Sequence, residues 1–180
     1  MAKSLGRGTS RRGRTVANRG GQVSLCKPSP EYPVRNTQSD FEDFLRLLEE
    51  LHVDYMIVGG FAVAYHGFPR FTKDIDVFYA DGPDNAAKLQ AALVAFGFQA
   101  ETVPLETLQK PDTVLSIGLE PVRIDLLNRI AGVAFGEARP NAVRGTYGAI
   151  NVWFIGKEDL VRNKRSTGRQ RDLGDVEELT

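Results

Sequence analysis

The sequence predicts an α/β (α+β) protein, a mixed and mostly antiparallel sheet of four to five strands with helices packed on it. Three observations predict it. Apolar runs of four to eight residues alternate with segments of helical periodicity. Two of the runs, "TVLSIGL" and "VRIDLLN", are separated by only two residues, so they pair as a hairpin. Helical patterns open and close the series, which is not the strict β-α-β alternation of a doubly wound sheet.

The elements follow in order. In "TQSDFEDFLRLLEELHVDY", Phe41, Phe44, Leu45, Leu48 and Leu51 recur at helical spacing and form one apolar stripe. Ser39 and Glu42 have the spacing of a capping box, and Asp40 suits the first turn. "YMIV", residues 55–58, is a short strand that stops at Gly59-Gly60. "GFAVAYHGF" is a short helix from Gly60 to Gly67, and "FTKDIDVFYA" a second strand. "PDNAAKLQAALVAFGF" is an amphipathic helix ended by Gly97. After the hairpin, residues 131–149 are rich in Gly and Ala and read mostly as loop. "AINVWFIG" is the last strand. "KEDLVRNKRSTG" is a helix ending at Gly168, and "RQRDLGDVEELT" a short final helix weakened by Gly174.

Charge divides the chain. Residues 1–36 carry eight basic side chains and one acid, a net of +7, and residues 37–180 carry the balancing −7. The first segment has no apolar periodicity and is read as a disordered basic tail, leaving 37–180 as the folded domain. A nucleic-acid-binding arm is the functional reading of the tail; a solubilising tail and a start codon placed too far upstream are the plainer and preferred pair. No apolar run approaches the roughly 20 residues of a membrane span, and no signal-type segment follows the basic start. The single cysteine, Cys26, excludes an internal disulfide and argues against cysteine-bound zinc. A cytoplasmic protein without a membrane partner is the expectation. The "GG" lacks the spacing of the dinucleotide fingerprint, and no serine–histidine pairing supports a hydrolase triad.

The chemistry concentrates in carboxylates. Asp74 and Asp76 lie two apart on a strand, so both project from one face. On "VRIDLLN", Arg123, Asp125 and Leu127 face one side, and Val122, Ile124 and Leu126 the other. Three acids on one sheet face repel one another unless a cation sits among them. Hard divalent ions take oxygen ligands and are shared with substrate phosphates, so Mg²⁺ or Mn²⁺ held by Asp74, Asp76 and Asp125 suits phosphoryl or nucleotidyl transfer. The Gly59-Gly60 turn lets backbone approach a ligand closely. Arg70 and Lys73 flank the aspartate strand, and Lys164, Arg165, Arg169 and Arg171 form a late basic cluster able to reach a triphosphate. His66, near the end of the short helix, is expected to satisfy backbone carbonyls rather than to catalyse.

These residues resemble a known signature. "VGGFAVAYHGFPRFTKDIDVF", with a third aspartate in "RIDLLN", is similar to the DNA-polymerase-β-type nucleotidyltransferase superfamily. Its small bacterial members, related to the abortive-infection AbiE toxins and to minimal nucleotidyltransferases, match over roughly residues 40–180. "KEDLVRNKRSTGRQRDLGDVEEL" resembles their closing segment. The resemblance implies the nucleotidyltransferase fold and a metal-dependent transfer of a nucleoside monophosphate from an NTP to a hydroxyl of a protein, RNA or small molecule, with release of pyrophosphate. It implies that Gly59 and Gly60 hold the triphosphate, that Asp74 and Asp76 bind both metal ions, and that Asp125 binds the catalytic one and helps deprotonate the acceptor. Lys164 would contact phosphates and Asp172 and Asp175 would brace the last helix; Arg70 and Lys73, read from position alone, could neutralise phosphate charge beside the nucleotide or merely pair with the acids. Phe61 departs from the pattern, since many members carry serine after the glycine pair. The alternative is a weak or inactive nucleotidyltransferase-fold binding module, such as one component of a toxin–antitoxin pair with its cognate protein as partner.

Overall fold

The structure, a computed structural model, describes residues 15–17, 22–25, 37–69, 71–119 and 122–180. Its strands are β1 (Thr15–Ala17), β2 (Gln22–Leu25), β3 (Tyr55–Val58), β4 (Asp74–Tyr79), β5 (Val114–Leu119), β6 (Val122–Leu127), β7 (Val143–Tyr147) and β8 (Ile150–Phe154). Its helices are α1 (Thr37–Glu50), α2 (Gly59–Tyr65), α3 (Pro83–Ala95), α4 (Leu105–Gln109), α5 (Phe135–Ala138), α6 (Lys157–Thr167) and α7 (Gln170–Leu179). The strands form one open sheet in the order β1-β2-β5-β6-β4-β3-β8-β7. Antiparallel pairs are β1–β2, β5–β6, β3–β4 and β7–β8; β2–β5, β4–β6 and β3–β8 run parallel. The sheet is mixed and mostly antiparallel, as the sequence predicts.

Between residues 37 and 180 the sheet has six strands, one more than the four to five expected. The addition is β7, inside the segment read as loop. Its residues, VRGTY, alternate only between exposed and half-buried, so no apolar period marks it. It is held by its ladder to β8 across a turn at Gly148, whose φ of +56° favours glycine. Of the segment read as a disordered tail, β1 and β2 are described, as short additions to the β5 edge; the rest of 1–36 lies outside the described residues. Three further boundaries shift. Helix α1 starts at Thr37, so Ser39 lies inside its first turn rather than at the cap. Strand β4 begins at Asp74, so Phe71–Lys73 belong to the approach. Helix α2 begins at Gly59 rather than Gly60.

The two faces of the sheet carry different helices. Tyr55 and Tyr79 are cross-strand partners on one face and fully buried. Their hydroxyls donate to Glu49 of α1 (2.7 Å) and to the Leu108 carbonyl of α4 (2.9 Å), which satisfies both polar tips. α1 and α4 therefore cover this face, and α3 packs against both. Phe44, Leu45 and Leu48 of the predicted stripe are fully buried there. The opposite face carries Asp76, with α2 packed on β4 and on α6, and α6 packed on α7. The apolar core thus lies mainly under α1 and α3, and the polar face is roofed by α2, α6 and α7. No helix among the described residues is long and apolar enough to cross a membrane.

Candidate active site

The parallel pairing of β4 with β6 sets Asp74 opposite Arg123 and Asp76 opposite Asp125. Alternation within each strand then brings all four side chains to one face. Antiparallel pairing adds Val58 beside Asp76 and Ser116 beside Asp125. Asp125 is buried, 8% exposed, although it is a carboxylate. Burial pushes the Asp76 carboxyl up to about 7; the neighbouring Asp125, and to a lesser degree Asp74, push the same way, while Lys164 and Arg123 oppose them. Two acids facing each other in a partly dry site carry charge that the chain only partly offsets.

Gly59 closes one side. Its φ of +62° is a left-handed conformation, and a Cβ placed there would land on the Asp76 carboxylate Oδ2. The first glycine of the pair is therefore fixed by the second aspartate of β4, which links the two halves of the motif in space. The following Phe61 turns to packing: its ring meets Phe41 edge-on (6.1 Å between centroids) and Tyr147 (5.4 Å). His66 donates from Nε2 to the Ile155 carbonyl at 2.8 Å, the carbonyl-satisfying role expected of it.

A cavity of about 360 Å³ opens beside these groups. Gly59, Gly60, Asp76 and Lys164 line it, joined by Arg169, Arg171 and Asp172. Asp74, Asp125 and Lys73 are not among its lining residues, and Lys73 is exposed. Arg70 lies outside the described residues. Sequence reasoning missed Arg129, Asn163 and Thr167, which also line the cavity. Asn163 and Thr167 share a face of α6 at the i, i+4 spacing, so the helical period starting from Lys164 carried the signal for them. Arg129 follows the end of β6 and had no such pattern.

Lys164 is buried, 5% exposed, and its Nζ reaches Asp172 Oδ1 (2.5 Å) and Asp175 Oδ2 (2.9 Å). Thr167 Oγ1 donates to Asp172 Oδ2 at 2.6 Å. Burial raises the Asp172 carboxyl, but hydrogen bonds from Lys164 and Thr167, and the charges of Lys164 and Arg169, outweigh it and hold the group below its ordinary value. This buried triad ties α7 to α6. It also sets an ammonium at the cavity wall within electrostatic reach of Asp76.

Among the described residues, Arg123 places a cation between two of the acids. Arg123 Nε lies 3.0 Å from Asp125 Oδ1, and its Nη2 lies 3.4 Å from Asp74 Oδ2. The donor chemistry of Asp74, Asp76 and Asp125, carboxylate oxygens on adjacent strands with one raised to about 7, fits a hard divalent ion. Among the described residues, however, no three acids, histidines or cysteines converge into a ready metal cage.

The match to a family decides what this geometry belongs to. Residues 37–180 match the family described as "Nucleotidyl transferase of unknown function (DUF2204)". The chain belongs to that family. The match covers the carboxylate strands, the glycine pair and the α6–α7 closure together, in line with the superfamily resemblance read from the motifs. No curated protein matches this nucleotidyl transferase family member.

Proposed function

We propose that this protein is a metal-dependent nucleotidyltransferase that moves a nucleoside monophosphate from an NTP to a hydroxyl acceptor. The observation that carries the reading is Asp76, which faces Asp125 across the β4–β6 register and itself lines a cavity with Gly59, Gly60 and three basic side chains from 164–171. Asp76, Asp125 and Asp74 would hold Mg²⁺ or Mn²⁺, whose chemistry is to neutralise phosphate charge and acidify the attacking hydroxyl.

The chain supplies the rest. The glycine pair leaves room for the triphosphate to approach backbone, and Arg169 and Arg171 balance its charge from the far wall. Lys164, already committed to two acids, acts through its field and its remaining N–H. Asp125 accepts the proton of the acceptor hydroxyl. The oxygen then forms its bond to the α-phosphorus while the bond to the bridging oxygen of the β-phosphate breaks, and pyrophosphate leaves. A second cavity of about 430 Å³ shares Arg129 and Ile130 with the first and is otherwise lined by groups such as Phe78, Val133 and Phe135. We assign the acceptor to it, which puts acceptor choice partly in segment 131–149.

The test is incubation of the protein with labelled NTPs, Mg²⁺ or Mn²⁺ and cell lysate. Label is expected on one class of acceptor and lost in the Asp74→Ala, Asp76→Ala double variant; transfer that survives the double change refutes the reading. A binding module, such as one half of a toxin–antitoxin pair, is the second reading. The Arg123 ion pairs favour it, because they already occupy two of the three acids. Calorimetry with NTP and Mn²⁺ separates the two, and absence of binding up to millimolar NTP selects the module.

A further inference from the structure

We propose that Arg123 is the built-in counter-cation of the carboxylate site: it holds Asp74 and Asp125 while no divalent ion is bound, and entry of the ion requires it to let go. This rests on the nucleotidyltransferase reading above. Three observations carry it. The strand register fixes Arg123 directly across from Asp74 and two residues before Asp125 on the same face, so the guanidinium spans both acids without leaving its strand. Its contacts fall on two of the carboxylates a metal needs: Nε donates to Asp125 Oδ2 at 3.2 Å and lies 3.0 Å from Oδ1, which accepts no hydrogen bond, and Nη2 lies 3.4 Å from Asp74 Oδ2. Its side chain is 27% exposed, against 6% for the Lys164 side chain, so Arg123 is the more solvent-accessible of the two cations.

The alternatives for neutralising these acids are thus unequal. Lys164 is fixed by Asp172 and Asp175 and acts on Asp76 only at a distance. Among the described residues Arg123 is a cation in direct contact with Asp74 and Asp125, and an arginine presents donors only, so it cannot remain on those oxygens and also join them in coordinating an ion. Metal loading and the Arg123 pairs therefore compete for the charge of the same two carboxylates. The device keeps the sheet face intact before the nucleotide arrives and makes metal entry dependent on the extra ligands a triphosphate brings.

The experiment is Mn²⁺ titration of the full chain, followed by calorimetry and by the electron paramagnetic resonance of free Mn²⁺, without nucleotide. Wild type, Arg123→Gln, Arg123→Lys and Asp125→Asn are compared. Removing the competitor is expected to tighten Mn²⁺ binding in Arg123→Gln by about tenfold, within the range of a typical coupling between linked sites. Arg123→Lys, which keeps the charge but reaches one acid at a time, is expected to fall between Gln and wild type. Asp125→Asn is expected to weaken binding. Equal or weaker Mn²⁺ affinity in Arg123→Gln, with binding intact in wild type, overturns the proposal and leaves the transferase reading standing. Absence of Mn²⁺ binding in wild type and both Arg123 variants overturns the proposal, and absence that persists when NTP is added overturns the transferase reading as well. Should Arg123→Gln fail to fold, an unchanged affinity in Arg123→Lys is the overturning result.

Discussion

Asp76→Asn is expected to make the metal-free protein more stable at alkaline pH while abolishing transfer. The Asp76 carboxyl is held at about 7 in the fold against 3.8 in the unfolded chain. A group whose folded value is raised binds its proton more tightly in the native state, so ionising it costs stability. The cost is absent below pH 4, grows through the window from about 4 to 7, and is complete above 7. The rise from 3.8 to about 7 corresponds to about 4 kcal/mol. Halving for solvent access to a partly exposed group leaves about 2 kcal/mol. Asparagine copies the neutral acid in shape and never pays the ionisation term. For a domain of this size, 2 kcal/mol corresponds to a rise in melting temperature of roughly 4–8 °C. The assay is thermal unfolding of both proteins in chelator at pH 8 and pH 4. A rise at pH 8 that shrinks to less than a third at pH 4 is expected. No rise at pH 8, or an equal rise at both, refutes the assignment of Asp76 as the strained charge of the site.

Two other substitutions probe the frame. Gly59→Ala combines a left-handed φ, costing about 1–2 kcal/mol, with a Cβ that collides with Asp76, so a loss of about 2–4 kcal/mol and a weakened metal affinity are expected from denaturant unfolding and Mn²⁺ titration. Lys164→Met strands Asp172 and Asp175 without their cation and is expected to cost about 3–5 kcal/mol in urea unfolding at pH 7. Because the Asp172 carboxyl is held below its ordinary value, its contribution is present above about pH 4 and fades as pH falls further; the difference between Lys164→Met and wild type should therefore narrow below pH 4.

Periodicity and spacing determine much of this protein by themselves. The stripe of Phe44, Leu45 and Leu48 required a buried helical face, and D-x-D on a strand required two acids on one side, because each depends only on the repeat of its own element. Gly59-Gly60 next to an apolar strand end likewise announced a turn, and Gly59 takes the left-handed conformation that favours glycine. β7 escaped notice because a half-exposed edge strand has no apolar period, and its partner β8 supplies what stabilises it. The neighbours of the acids were also beyond sequence reading. That Asp125 lies across from Asp76, that the cavity wall is shared by α2, α6 and α7, and that Lys164 is locked by Asp172 and Asp175 all follow from strand order and helix docking. Arg123 is the sharpest case. Its place in "VRIDLLN" put it on the carboxylate face, but only the parallel register with β4 made it a bridge between Asp74 and Asp125, since contacts across strands depend on pairing and not on any period within one chain segment.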